Sequence, residues 1–314
     1  MRTAANPITP TGRQFELRSA GATARIAQVG ASLRALTVAG TDLIPPYPAD
    51  APAPLCSGTV LVPWPNRIRD AVWNDRGVSR ELAVTEPKLG NASHGLLRFA
   101  AYELREEAED AISLGALVVP QTGYPYLLDT AVSYRLTGTG IDVVHTLTNL
   151  GAEEAPVALG THPFIMLGDA EPEDLVLHIP AETYFETDGR MIPVAESPVD
   201  EAPAAAGLDL RGGLRLADLS LDTAFGGLHR DADGRVRSTL TARDGRTATL
   251  WQGAGFDYVQ AFTTDRYPGQ RLAVAIEPMT APADAFNSGR GLRRLAPGET
   301  WELCWGIEFS PARG

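Results

Sequence analysis

The 314-residue chain carries 27 Lys plus Arg against 39 Asp plus Glu, a formal net charge of −12 with a pI near 4.9. A surface this acidic repels nucleic acid and anionic lipid, so neither is expected as a partner and a small molecule is. Chains of this length bury about three quarters of their unfolded surface without staples, and the two cysteines, Cys56 and Cys304, match no metal or redox spacing and are expected as free thiols.

The opening stretch, MRTAANPITPTGRQFELRS, has no apolar leader core. No segment approaches the roughly 20 apolar residues that span a bilayer, so a cytoplasmic location is expected. Glycines (31) and prolines (24) recur throughout, which is the rhythm of many short strands. In chain order, RQFELRSA and ATARIAQVG read as strands, and Pro45 to Pro54 reads as a surface loop. ELREEAEDA, residues 103 to 111, is helical by composition or else an exposed strand edge. After the strand ISLGALVVP, AVSYRL and IDVVHTLTNL flank Thr137-Gly138-Thr139-Gly140 as a hairpin. DLVLHIP precedes a second loop from Glu196 to Ala206. STLTAR and RTATLWQ flank Asp244-Gly245 as another hairpin, and YVQAFTTD and ETWELCWGIEFSP complete the series. The pattern predicts an all-β fold, an antiparallel sandwich filling residues 1–314 as a single domain.

Residues able to do chemistry stand at particular points on this frame. Before Pro278, a period of two puts Leu272, Val274 and Ile276 on one face and Ala273, Ala275 and Glu277 on the other. Small side chains thus flank a lone carboxylate, and the proline holds Glu277 extended. PVALGTHPFIML repeats the arrangement: Ala158, Gly160 and His162 share a face, Pro163 follows, and Gly160 marks a close approach of ligand or backbone. VPWPNRIRD presents Asn66 and Arg67 beside Trp64, NASHGLLR holds His94 in a turn, and SLDTAF carries Asp222. A carboxylate, two imidazoles, a guanidinium, an amide and a second acid suit a polyhydroxylated ligand. Each also has a plainer reading. Glu277 could be a strand-end acid paired with an arginine, His162 a satisfied core histidine, and His94 and Asp222 turn or capping residues. Asn66 and Arg67 could serve loop carbonyls and a surface acid. His145, His178 and His229 read as structural or exposed.

Five segments, in order along most of the chain, resemble motifs of the aldose 1-epimerases, or galactose mutarotases. These are Asn66-Arg67-Ile68, His94-Gly95, Thr161-His162-Pro163, Leu221-Asp222-Thr223-Ala224-Phe225, and Glu277 followed by Asp284-Ala285-Phe286-Asn287. The resemblance implies a large antiparallel β-sandwich with an open sugar cleft, the galactose mutarotase-like supersandwich. It further implies Glu277 as general base, His162 as general acid, and Asn66, Arg67, His94 and Asp222 as ligands of sugar hydroxyls. Thr161 and Pro163 flank His162 where Asn and Tyr are common in the family, which bears on the preferred sugar.

The implied activity is interconversion of the α and β anomers of a free aldohexose, an isomerase reaction that needs no metal, nucleotide or other cofactor. At reference values Glu277 would be ionised at neutral pH and His162 poised as the acid, with the two groups on opposite sides of the anomeric centre. Alternatives are a hexose-6-phosphate 1-epimerase, for which Arg69 and Arg98 are candidate phosphate ligands, and a non-catalytic sugar-binding domain on the same fold. A glycoside hydrolase pairing Glu277 with Asp222 or Asp257 is a third. A metal site built from His94, His162 and Glu277 is a further alternative, although their spacing matches no metal motif.

Overall fold

A computed structural model describes residues 9–203 and 206–312. Two large antiparallel sheets dominate it. In the first, nine strands run in the order Glu103–Glu107, Ala111–Val118, Leu128–Leu136, Gly140–Asn149, Thr300–Ser310, Thr247–Gln252, Val236–Thr241, Val176–His178 and Leu214–Arg215. The second runs Pro193–Pro198, Ala181–Thr187, Asp222–Leu228, Tyr258–Thr264, Ala273–Met279, Gly160–Thr161 and Val60–Leu61, with Phe164–Ile165 also paired to Ala273–Met279. A four-stranded sheet, Gln14–Ser19 through Thr41–Asp42, packs alongside.

Strict alternation explains the layering. In the first sheet Ile141, Val143, Leu147, Leu250 and Ile307 face inward; in the second, Phe225, Val259, Ala261, Val274 and Ile276 do so, and all ten join one buried cluster. Burying each large aliphatic side chain contributes about 1.5–3 kcal/mol. The opposite face of the second sheet carries Ala273 and Ala275, which pack against Phe164 and Tyr267. The protein is therefore an all-β antiparallel sandwich, and Glu277 shares the second sheet's outer face with Ala273 and Ala275.

Both hairpins form where the turn residues place them: Thr137 N–H donates to Gly140 O, and Gly245 N–H donates to Ala242 O between paired strands. ELREEAEDA resolves to an exposed edge strand, Glu103–Glu107, where carboxylates blunt an edge that would otherwise invite further pairing. The loop expected from Glu196 begins later. Glu196 to Pro198 complete an edge strand, Val199–Glu201 form a turn of 3-10 helix, and Ala204 and Ala205 lie outside the described residues. Residues 1–8 of the opening stretch are likewise outside them. Both cysteines are free, and no helix among the described residues is long and apolar enough to cross a membrane.

Candidate functional site

Register brings the central pair together. Gly160 pairs with Met279 and Phe164 with Ala275, so a single register runs through both short strands and His162 falls opposite Glu277. On the other side of the same strand, Gln260 is the direct cross-strand partner of Glu277. Pro163 interrupts the ladder at the intervening jog because it has no N–H to donate. His162 is anchored through its backbone instead, its N–H donating to Thr59 O and its carbonyl accepting from Gly58 N–H. Its ring stacks on Phe164, with centroids 5.4 Å apart. The space left by Ala273 and Ala275 is thus filled by aromatic rings, which hold the imidazole in place.

His162 Nε2 lies 3.3 Å from Glu277 Oε1, and both side chains are almost wholly buried. His162 Nδ1 has no partner among the described residues. Gly160 serves a different approach from the one its strand position suggested. A Cβ there would meet Pro65 Cβ at 2.6 Å, so the glycine admits a proline side chain and brings the Asn66 loop against the strand.

That loop is held in an unusual backbone conformation. Asn66 and His94 both adopt positive φ, 54° and 60°, in a region that Asn and His tolerate better than most residues. Asn66 N–H donates to His94 Nδ1 at 3.2 Å, and His94 N–H donates to Asn66 O at 2.8 Å, so the two strained positions lock each other. Gly95 is required beside them, because a Cβ would meet Val62 O at 2.1 Å. Asp284 accepts from Arg69 N–H at 2.9 Å and donates its own N–H to Arg67 O, while Asn287 Nδ2 donates to Val72 O. The Asp-Ala-Phe-Asn segment therefore braces the Asn66-Arg67 loop from behind.

A polar network joins the loop to the sheet. Asn66 Nδ2 donates to Gln260 Oε1 at 3.2 Å, and Gln260 Nε2 donates to Asp222 Oδ1 at 2.6 Å. Arg67 donates from Nε and Nη2 to the two oxygens of Glu86 at 2.8 and 3.1 Å, a bidentate pair, and lies 3.7 Å from Asp222 Oδ2. All six predicted residues, Asn66, Arg67, His94, His162, Asp222 and Glu277, line one cavity of about 230 Å³. Sequence reasoning missed Gln260 and Glu86. The alternation in YVQAFTTD, which puts Gln260 on one face with Tyr258 and Phe262, is the signal that could have found the first; Glu86 sits in a loop and has none. Of the two arginines considered as phosphate ligands, Arg98 lines the cavity, whereas Arg69 is paired with Asp188 and Asp284. A second cavity of about 240 Å³, between Pro45, Pro172 and Val274, is lined largely by aliphatic side chains and lies away from these titratable groups.

The electrostatics differ from the reference-value expectation. Burial pushes Glu277 well above the usual carboxylate range, Asp222 adds to this, and Arg67 opposes it. Burial also pushes His162 down to about 4. His94 is driven well below its ordinary value by burial and by His162, Arg98 and Arg67. Burial thus favours the uncharged form of both groups, a protonated Glu277 beside a neutral imidazole, because a low-dielectric site disfavours either charge. The two groups also sit side by side instead of facing each other across a hollow, since neighbouring strands set their spacing.

A family profile described as aldose 1-epimerase matches residues 13–305. The chain belongs to the aldose 1-epimerase family. A relative in Escherichia coli (strain K12), the uncharacterized protein YihR, is 28% identical over 298 residues, covering 95% of this chain and 93% of that one. Among solved structures, a galactose mutarotase-like protein from Clostridium acetobutylicum superposes with a TM-score of 0.82 at 16% identity, covering 95% of both chains. The GalM/aldose epimerase homologue from C. elegans gives 0.81 at 19% identity, covering 96% of this chain and 99% of that one. A galactose 1-epimerase from Lactobacillus acidophilus NCFM gives 0.79 at 18%, covering 96% and 95%. At such identities the structures establish the fold, and the cleft belongs to a member of the aldose 1-epimerase family whose site must be read from its own residues.

Proposed function

We propose that the protein is a cofactor-independent isomerase that interconverts the anomers of an aldohexose. The observation that carries this is the buried His162–Glu277 contact at the floor of a cavity on the scale of one sugar ring, rimmed by hydroxyl-binding groups. O1 and the ring oxygen O5 share one carbon, so two adjacent side chains reach both. The single proton of the resting pair passes from Glu277 to His162 across their contact. The carboxylate then takes the C1 hydroxyl proton while the imidazolium protonates O5, the C1–O5 bond breaks, and an aldehyde forms. Rotation about C1–C2 and the reverse transfers close the other anomer. A positioned acid or base of this kind is worth about 10² to 10⁴ in rate. Asn66, Arg67, His94 and Asp222 hold the sugar hydroxyls, with Gln260 linking two of them.

The test is polarimetry on freshly dissolved α-glucose, α-galactose and glucose 6-phosphate, with the spontaneous rate subtracted. Acceleration of at least one, lost in both Glu277→Gln and His162→Asn, is the expected result. Binding of a hexose with no acceleration of any would instead make the protein a sugar-binding domain.

A further inference from the structure

Arg98 is the charged group of the cleft that this mechanism leaves unused. It lines the cavity and is only half-exposed, yet among the described residues it makes no ion pair and no hydrogen bond. In a chain with a net charge of −12 this is anomalous. Arg67, across the same cavity, is committed to Glu86, Asn66 and Asp222. Arg98 is also held in place. Its guanidinium stacks over Phe99 at 4.9 Å, and its loop is pinned where Gly30 N–H donates to Ala100 O at 2.8 Å. A Cβ on Gly30 would meet Arg98 O at 2.6 Å, so the glycine is what lets the loop close down. A half-buried guanidinium held in a ligand cavity without an acceptor is matched by an anion supplied by the ligand, because desolvating it unpaired is costly.

Position identifies which substituent the anion would be. Arg98 lies at the His162 end: a Cβ on Gly30 would meet both Arg98 O and Thr59 Cγ2, Thr59 O accepts from His162 N–H, and His94 lies against His162 with rings 5.6 Å apart. Asp222 lies at the other end, bonded to Gln260, the cross-strand partner of Glu277, and 3.7 Å from Arg67. With O5 at His162 and O1 at Glu277, C2 leaves toward Asp222, and C5, bonded to O5, carries C6 toward His94 and Arg98. We propose that the cleft selects aldohexoses bearing an anionic group at C6, with Arg98 as its ligand. This rests on the epimerase reading and on its assignment of O5 to His162. The acidic net charge of the whole chain does not oppose it, because the local sign at the His94 end is set by this unpaired arginine.

The experiment compares kcat/KM for anomer interconversion of glucose, glucose 6-phosphate and glucuronate by wild type, Arg98→Ala and Arg98→Lys, with thermal unfolding as a check on folding. Charge-assisted bonds of the usual strength predict a preference of about 10- to 100-fold for at least one anionic sugar over glucose. In Arg98→Ala that ratio falls toward one, and in Arg98→Lys it is partly kept. Equal kcat/KM on neutral and anionic sugars, or a preference that survives in Arg98→Ala, overturns the inference and leaves the epimerase reading standing. No acceleration of any sugar by the wild type overturns both. If Arg98→Ala fails to fold, the wild-type ratio and the Lys variant decide.

Discussion

Two carboxylates are buried in this protein to nearly the same degree, and their surroundings differ. Asp75, 4% exposed, accepts from the Tyr126 hydroxyl and from Arg80 and Arg294, so each oxygen has a donor. Glu277, 2% exposed, makes no side-chain hydrogen bond among the described residues and lies 3.3 Å from a histidine that is itself short of partners. Asp75 ties the Val72–Asp75 strand to Arg294 on Arg293–Leu295 and behaves as architecture. Glu277 is buried with only the more distant charge of Arg67 opposing the cost, on a face opening into a cavity, surroundings of the kind in which proton-transfer groups are found.

The largest effect that would sharpen this contrast is the loss of turnover in Glu277→Gln, about 10² to 10⁴, with no loss of thermal stability. If unfolding temperature drops as turnover does, Glu277 is architectural too. Asp75→Asn should do the opposite, with turnover per folded molecule kept and stability lowered. Breaking a buried pair costs about 3–5 kcal/mol, reduced here to about 1–3 because Arg80 and Arg294 stay 31% and 30% exposed. Denaturant unfolding measures it, and an unchanged midpoint would erase the distinction. Glu86→Gln should raise KM about 3- to 10-fold with kcat nearly unchanged, since it loosens Arg67 without touching the reacting pair. A drop in kcat alone would move Glu86 into the chemistry.

The pH dependence tests the surroundings of Glu277 and His162 directly. Activity should persist down to an acid limb near 4, where His162 takes a second proton, and should fall on the alkaline side only well above the ordinary carboxylate range, where the pair loses its one proton. An acid limb at the reference histidine value would show that the pair is solvated. Stability follows with a definite sign. Glu277 binds its proton more tightly folded than unfolded, so stability falls as pH rises from the unfolded value toward the folded one. Glu277→Gln lacks that slope, and its unfolding temperature should gain on wild type as pH rises above the ordinary carboxylate range. His162, whose folded value is lowered, contributes the opposite slope, with stability rising as pH rises from its folded toward its unfolded value.

The strand pattern and both hairpins were legible in the sequence, because alternation and turn chemistry are local, whereas the six residues that line the cavity were singled out one by one and joined into a cleft only by their resemblance to family motifs. Even the His162–Glu277 meeting is latent there, as two segments that each place a titratable residue before a proline after small ones. What was not legible depended on segments distant in sequence. Glu86 finds Arg67 only through the loop's path, Gly160 proves to accommodate Pro65, and the Asp284 segment braces a loop more than 200 residues earlier. Protonation was the furthest out of reach. Residue type sets a reference affinity for the proton, but the dielectric around a group and the charges facing it come from every layer packed over it, so only the folded structure decided that burial favours the uncharged forms of Glu277 and His162.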